Sequence, residues 1–181
     1  MLQTVKSISQ TQSRPFTLTV SELINDAEVR ALLRRSLVIE PIDLLMAILT
    51  QAHGPAGIIL KDSIMSIDND LAKRSPVEYL RKLTPQGTGT SDLLIKDKLI
   101  ESDDVNAIFE VAGKLAKERN KDKATSQIES IILLSALVSL TEERDFKDIK
   151  ALSLPTNKIQ EAIAKYLNDR QLRNRMLSRN E

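Results

Sequence analysis

One histidine, no cysteine and a scatter of carboxylates make up the reactive inventory of this chain. His53 stands directly before Gly54-Pro55, a turn sequence, and reads as a solvated loop residue. A single imidazole without thiols cannot assemble a His-based zinc site or a serine triad with spare partners. Asp103-Asp104 and Glu142-Glu143 are adjacent acids that read as helix starts, where the positive end of the helix dipole favours carboxylates. Capping accounts for them better than a carboxylate pair for acid–base work. Asp68-Asn69-Asp70 opens like a calcium loop but lacks that loop's glycine and distal glutamate. No G-x-x-x-x-G-K-[ST] sequence exists, and Gly87-Thr88-Gly89 is too short and has no strand before it to cradle phosphates. The expectation is therefore no catalytic residue, no metal ligand set and no cofactor.

The remaining chemistry is basic. Arg34-Arg35 and an arginine-bearing C-terminus with Arg170, Arg173, Arg175 and Arg179 are local cationic features. The plain reading is solvated helix surface; the sharper one is a docking site for an acidic partner, with Arg34, Arg35, Arg170 and Arg173 as candidate contacts. No aromatic residues interleave with them, which argues against single-stranded nucleic acid. With 26 basic and 25 acidic side chains the net charge is +1, so no overall field draws the chain to nucleic acid or to an acidic membrane. The longest apolar runs, such as Ile131 to Leu134, fall far short of the ~20 residues a membrane span needs.

The elements that must carry these residues read as helices. Aromatics are scarce, with no Trp, two Tyr and three Phe, so Leu, Ile, Val and Ala fill the core, which suits helices better than a β-sandwich. Leu23, Ile24, Ala27, Ala31 and Leu32 mark one face of a first helix capped by Thr19 or Ser21, with Arg30, Arg34 and Arg35 mostly off that stripe. Pro41 opens a second, where its missing N–H costs little, and Leu44, Leu45, Ile48 and Leu49 bury it. Gly54-Pro55 begins a short third with Ile58, Ile59 and Leu60. A fourth runs from about Asp68 through Leu71 towards Leu83. Thr84 to Ser91 is polar, with two Gly and a Pro, and reads as a linker. Residues 92–100 are ambiguous between helix and strand, and helix is favoured by the surroundings. Further helices span about Asp103 to Glu118 and Ser126 to Ser139, with a charged loop between. Phe146, Ile149 and Leu152 suit another, and Pro155-Thr156 precedes a last one with Ile159, Ile163, Tyr166 and Leu167.

These helices come in two similar sets. Val20, Leu23, Ile24, Ala27 and Ala31 stand 85 positions before Val105, Ile108, Phe109, Ala112 and Ala116. Leu44, Leu45, Ala47, Ile48 and Leu49 stand 89 positions before Leu133, Leu134, Ala136, Leu137 and Val138. Two ungapped blocks with a four-residue insertion between them in the second copy are the mark of a duplicated unit. The expected fold is all-α, about eight helices in two four-helix repeats related by a pseudo-twofold. The divisions are a flexible tail 1–15, a double domain 16–168 (repeats 16–83 and 92–168, linker 84–91), and an Arg-rich tail 169–181.

The pattern Phe16-Thr17, Leu23-Ile24-x-x-Ala27-x-x-x-Ala31, Ile39, Leu44-Leu45-Met46-Ala47-Ile48-Leu49 and Gly54-x-Ala56-x-x-Ile59-Leu60 resembles the repeat of the Clp amino-terminal domain. Ile108-Phe109, Ala112, Ala116, Leu133 to Val138 and Ile149 carry the resemblance through the second copy. The family usually has Thr-Glu-His before the Leu-Leu run; here Pro41, Ile42 and Asp43 hold those places. The resemblance implies a module without catalytic residues that sits ahead of an AAA+ motor or works as a stand-alone accessory factor lacking the motor. Its partners would be Clp unfoldase or protease subunits, adaptors or substrate proteins, with neither nucleic acid nor membrane. Its place would be the cytoplasm, or the plastid stroma in a eukaryote. The rival expectations are an enzyme acting on small molecules in an all-helical pocket and a helical nucleic-acid-binding module using the Arg-rich end.

Overall fold

A computed structural model describes residues 16–51, 54–84, 99–119, 127–144, 146, 149–150 and 152–169. The expected tail 1–15, His53, most of the linker, the loop 120–126 and residues 170–181, with Arg170 and Arg173, lie outside the described residues.

The chain is all-α. Among the described residues its helices are α1 (Leu18–Leu33), α2 (Pro41–Thr50), α3 (Pro55–Met65), α4 (Asp70–Arg74), α5 (Pro76–Leu83), α6 (Asp103–Arg119), α7 (Ser130–Glu143) and α8 (Thr156–Asn168). Two short strands, β1 (Val38–Ile39) and β2 (Ile100–Glu101), pair in parallel. Ile100, expected to be helical, belongs to β2. Its N–H reaches Leu37 O at 2.9 Å, a bond to another chain segment that no local pattern announces.

The centre of the molecule is α2 packed beside α7. Every residue of α2 except Thr50 is buried, and α7 buries ten residues including Ile131 to Leu134. Helix α1 lies on α2 and α6 lies on α7, while α8 packs on both α3 and α7. Helices buried nearly all round are core helices, and α2 and α7 pack on one another. No single helix among the described residues is long and apolar enough to cross a membrane.

Local chemistry explains the boundaries. Thr17, not Thr19 or Ser21, caps α1: its Oγ1 accepts from Val20 N–H at 3.4 Å, so the helix starts before either expected cap. The expected fourth helix is two. Ser75-Pro76 ends α4 and opens α5, because the residue before a proline is pushed out of helical geometry. Asn69 caps α4 by accepting from Leu71 and Ala72 N–H at 2.9 and 3.1 Å. Its neighbour Asp68 is held below the ordinary carboxylate range by a hydrogen bond from Lys73 at 2.7 Å and by that residue's charge. Helix α7 starts at Ser130 rather than Ser126, because Ile128 is committed to a β-bridge with Phe16. Glu142-Glu143 closes α7 instead of opening a helix, so the dipole argument does not apply to that pair. Asp103-Asp104 does open α6, and Asp104 also takes Arg144 Nη1 at 2.9 Å.

Helix α1 ends in a Schellman motif without glycine. Ser36 N–H bonds Ala31 O and Arg35 N–H bonds Leu32 O, both at 2.8 Å, with Arg35 at φ 62°. Gly57 carries a stricter demand. A Cβ there would lie 2.4 Å from Gln51 O and 2.8 Å from Ile48 O, so α3 can cross the end of α2 only on a bare Cα.

Candidate functional site

The first turn of α1 is tied to the far half of the chain. Thr17 N–H donates to Ile128 O at 3.2 Å, and its hydroxyl reaches the same oxygen at 3.3 Å. The Phe16 ring packs on Phe109 of α6, with centroids 5.3 Å apart. This seam opens into a cleft of about 570 Å³. Helix α1 and its cap contribute Thr17, Thr19 and Glu22; the α2–α3 corner contributes Gln51, Gly54 and Pro55. The start of α7 adds Glu129, Ser130 and Ile131, and α8 adds Tyr166. Gln51 Nε2 donates to Thr19 O at 3.0 Å and holds one wall in place.

Two helices begin at this cleft, α3 after Gly54 and α7 after Glu129, and neither is capped by a side chain. Glu22 and Glu129 are exposed on the rim, and among the described residues no Lys or Arg lines the cavity. The result is an amphipathic trough with an apolar floor of Pro55, Ile131 and Tyr166 and an acidic rim. The uncapped starts of α3 and α7 leave backbone N–H donors at this cleft. Among the described residues no three His, Cys, Asp or Glu side chains gather where they could hold a metal.

The sequence-level candidates lie elsewhere. Arg34 is not solvated helix surface: only 7% of it is exposed. Its Nε and Nη2 grip Asp43 Oδ1 and Oδ2, each at 2.7 Å, and Nη2 also reaches Glu40 Oε2 at 2.9 Å. Asp43, 1% exposed, accepts from Glu40 N–H at 2.9 Å as well, closing the capping box that starts α2. Burial opposes the Arg34 charge, but hydrogen bonds and charge from Asp43 and Glu40 outweigh it and hold the guanidinium above its ordinary pKa. This pair joins the end of α1 to the start of α2. Arg35 is exposed, on the turn that follows. The two adjacent arginines thus point to different environments and form no common patch.

Nothing local in the sequence marks Gln51 or Glu129, and Tyr166 reads there only as part of the last helix's apolar face; the seam is made by segments more than 100 positions apart. Asp43 did leave a signal. It is the one charge in the run Pro41 to Leu49, and a lone acid on a buried helix calls for a buried partner. No protein-family model matches the chain, and no curated protein is significantly similar to it.

Proposed function

We propose that the chain is a non-catalytic protein–protein interaction module of the Clp amino-terminal type. It would act as a regulator, adaptor or substrate-receiving unit of an ATP-dependent Clp protease, through the cleft between its halves. The observation that carries the reading is a pair of reciprocal connections. Thr17 N–H bonds Ile128 O at 3.2 Å, and Ser102 N–H bonds Ile39 O at 3.0 Å. Ser102 stands 85 positions after Thr17 and Ile128 stands 89 after Ile39, the same offsets that relate the two sets of core helices. Each half therefore lends the other the same bond, as a pseudo-twofold requires.

The local details agree with a duplication. Ser21 Oγ donates to Thr17 O at 3.3 Å, and Asn106 Nδ2 donates to Ser102 O at 3.1 Å. Val20 N–H and Val105 N–H donate to the Thr17 and Ser102 hydroxyls at 3.4 and 3.2 Å. Glu40 and Glu129 precede the two central helices. Val20, Leu23, Ala27 and Ala31 are buried, and so are Val105, Ile108, Ala112 and Ala116. A trough walled by both halves and rimmed by two carboxylates suits a partner segment that is apolar with flanking positive charge.

Affinity capture with purified Clp unfoldase and protease subunits tests the reading. The expected result is retention of one subunit by the native chain and its loss on Glu22→Lys with Glu129→Lys. Both positions are exposed, so the fold survives the change. Failure of every Clp subunit to bind, or equal retention by the reversed-charge variant, would overturn it.

A further inference from the structure

Helix α7 begins on the cleft with an open end. Its first two residues, Ser130 and Ile131, line the cavity, and their N–H groups find no acceptor among the described residues. The Ser130 side chain is only 6% exposed and also makes no hydrogen bond among the described residues. Its Oγ is not sealed off as Arg30 Nε is, and the cavity reaches it. It lies 3.8 Å from where a Cβ on Gly54, another lining residue, would stand. Buried hydroxyls are nearly always paired, so one left open on a cavity points to an acceptor that arrives from outside.

The fold does not demand this open end. At the start of α2, the proposed counterpart of α7, Pro41 has no N–H to leave free, and Glu40 and Asp43 close a capping box. The places 89 positions on hold Ser130 and Ile132, which cannot close one. The same start is shut in one half and open in the other.

Charge decides what enters. A helix start carries roughly half a positive charge, and two of them, α3 and α7, begin here. Glu22 and Glu129 bring two full negative charges to the rim. The balance is about one negative charge, so an anion is repelled from the donors. A neutral carbonyl is not repelled, and a cation beside it is drawn to the rim. A lysine or arginine in an extended chain supplies both within one residue. Pro55, Ile131 and Tyr166 give an aliphatic neighbour an apolar floor. At about 570 Å³ the cleft is within the roughly 300–1,000 Å³ of ligand sites, enough for a short stretch of chain.

We infer that the cleft binds an extended segment of a partner protein in which a lysine or arginine neighbours an aliphatic residue, one main-chain carbonyl of it accepting from Ser130 Oγ and the first N–H groups of α7. The inference rests on the cleft being the surface that receives a partner, and it names what is received. Ser130 sets the register of the segment, and Glu22 and Glu129 select its charge.

The test uses magnetic resonance on the whole chain labelled with nitrogen-15 at glycine and isoleucine. Gly54 lines the cleft and reports; Gly113, in α6 with nothing within 4 Å of its Cβ position, is the control. The probe is acetyl-Ala-Leu-Lys-Leu-Ala-amide, blocked at both ends, and no Clp subunit is present. The peptide should move Gly54, leave Gly113 in place, and shift the Ile131 N–H proton downfield as it gains an acceptor. Ser130→Ala should bind the peptide about fivefold more weakly, the loss of one neutral hydrogen bond. Norleucine in place of the peptide's lysine should weaken binding about tenfold, and glutamate there should abolish it. These two arms use the native chain and so stand whatever Ser130→Ala does to folding. A Gly54 signal unmoved at millimolar peptide, equal binding of the lysine and glutamate peptides, or full affinity in Ser130→Ala overturns the inference. So does a Gly54 signal that moves with protein concentration alone, which would give the cleft to a second copy of the chain. Peptide binding as described with no Clp subunit captured would uphold this inference and remove only the Clp assignment.

Discussion

Replacing Asp43 by Asn probes the buried ion pair between α1 and α2 without changing its shape. Asp43 accepts three hydrogen bonds, two from Arg34 at 2.7 Å and one from Glu40 N–H at 2.9 Å. An asparagine keeps one acceptor oxygen and turns an NH₂ donor towards a guanidinium or an N–H. The Arg34 charge then stays buried without its main counter-ion. Removing one partner of a buried pair costs about 3–5 kcal/mol. Glu40 remains within 2.9 Å of Arg34, which places the expected loss at the lower end, about 3 kcal/mol. For a chain of this size that lowers Tm by roughly 6–12 °C. Urea unfolding followed by helical circular dichroism should show a lower midpoint with an unchanged slope. The double change Arg34→Met with Asp43→Leu should recover most of the loss, because well-packed apolar groups replace a buried pair at little cost. The Arg34 pKa is raised in the folded state, so its contribution is complete below the unfolded value and is lost only as pH rises beyond it. Stability from this source is therefore flat through neutral pH. A loss under about 1 kcal/mol for Asp43→Asn would refute the reasoning, since that is the range of a solvated surface pair.

Other expectations follow from single contacts. Gly57→Ala should cost about 1–3 kcal/mol by forcing α3 off the Gln51 and Ile48 carbonyls, measured by the same unfolding assay. Arg35→Gly should stabilise by about 1 kcal/mol, because the left-handed turn at φ 62° suits a residue without Cβ; an unchanged or lower midpoint would mean the side chain contributes more than its strain. Thr17→Ala and Ser102→Ala should each cost about 1 kcal/mol, since each hydroxyl accepts from the N–H three residues on; a large effect at one position and none at the other would count against the proposed equivalence of the two halves.

What could be read from the chain follows physical range. Pro41 and Pro55 each set a helix start by fixing φ, and both helices begin there. The apolar runs of α2 and α7 announced buried central helices because a wide hydrophobic surface has nowhere else to go. Two of the misses come from contacts distant in sequence. Ile128 is held by Phe16 and Thr17, which delays α7, and Ile100 is held by Leu37, which makes it a strand. Pro76 is a local signal that the expectation of one helix from Asp68 towards Leu83 leaves out. Arg34 was placed on the surface by helical periodicity, and only the fold of α1 against α2 brings it onto Asp43.

Hydrogen–deuterium exchange of the chain, alone and with Clp subunits, tests the proposed role most directly. The account predicts slowed exchange at residues 17–22 and 129–131 together, since both halves wall the cleft that would receive the partner. Protection absent from both segments, or confined to one half, would contradict it.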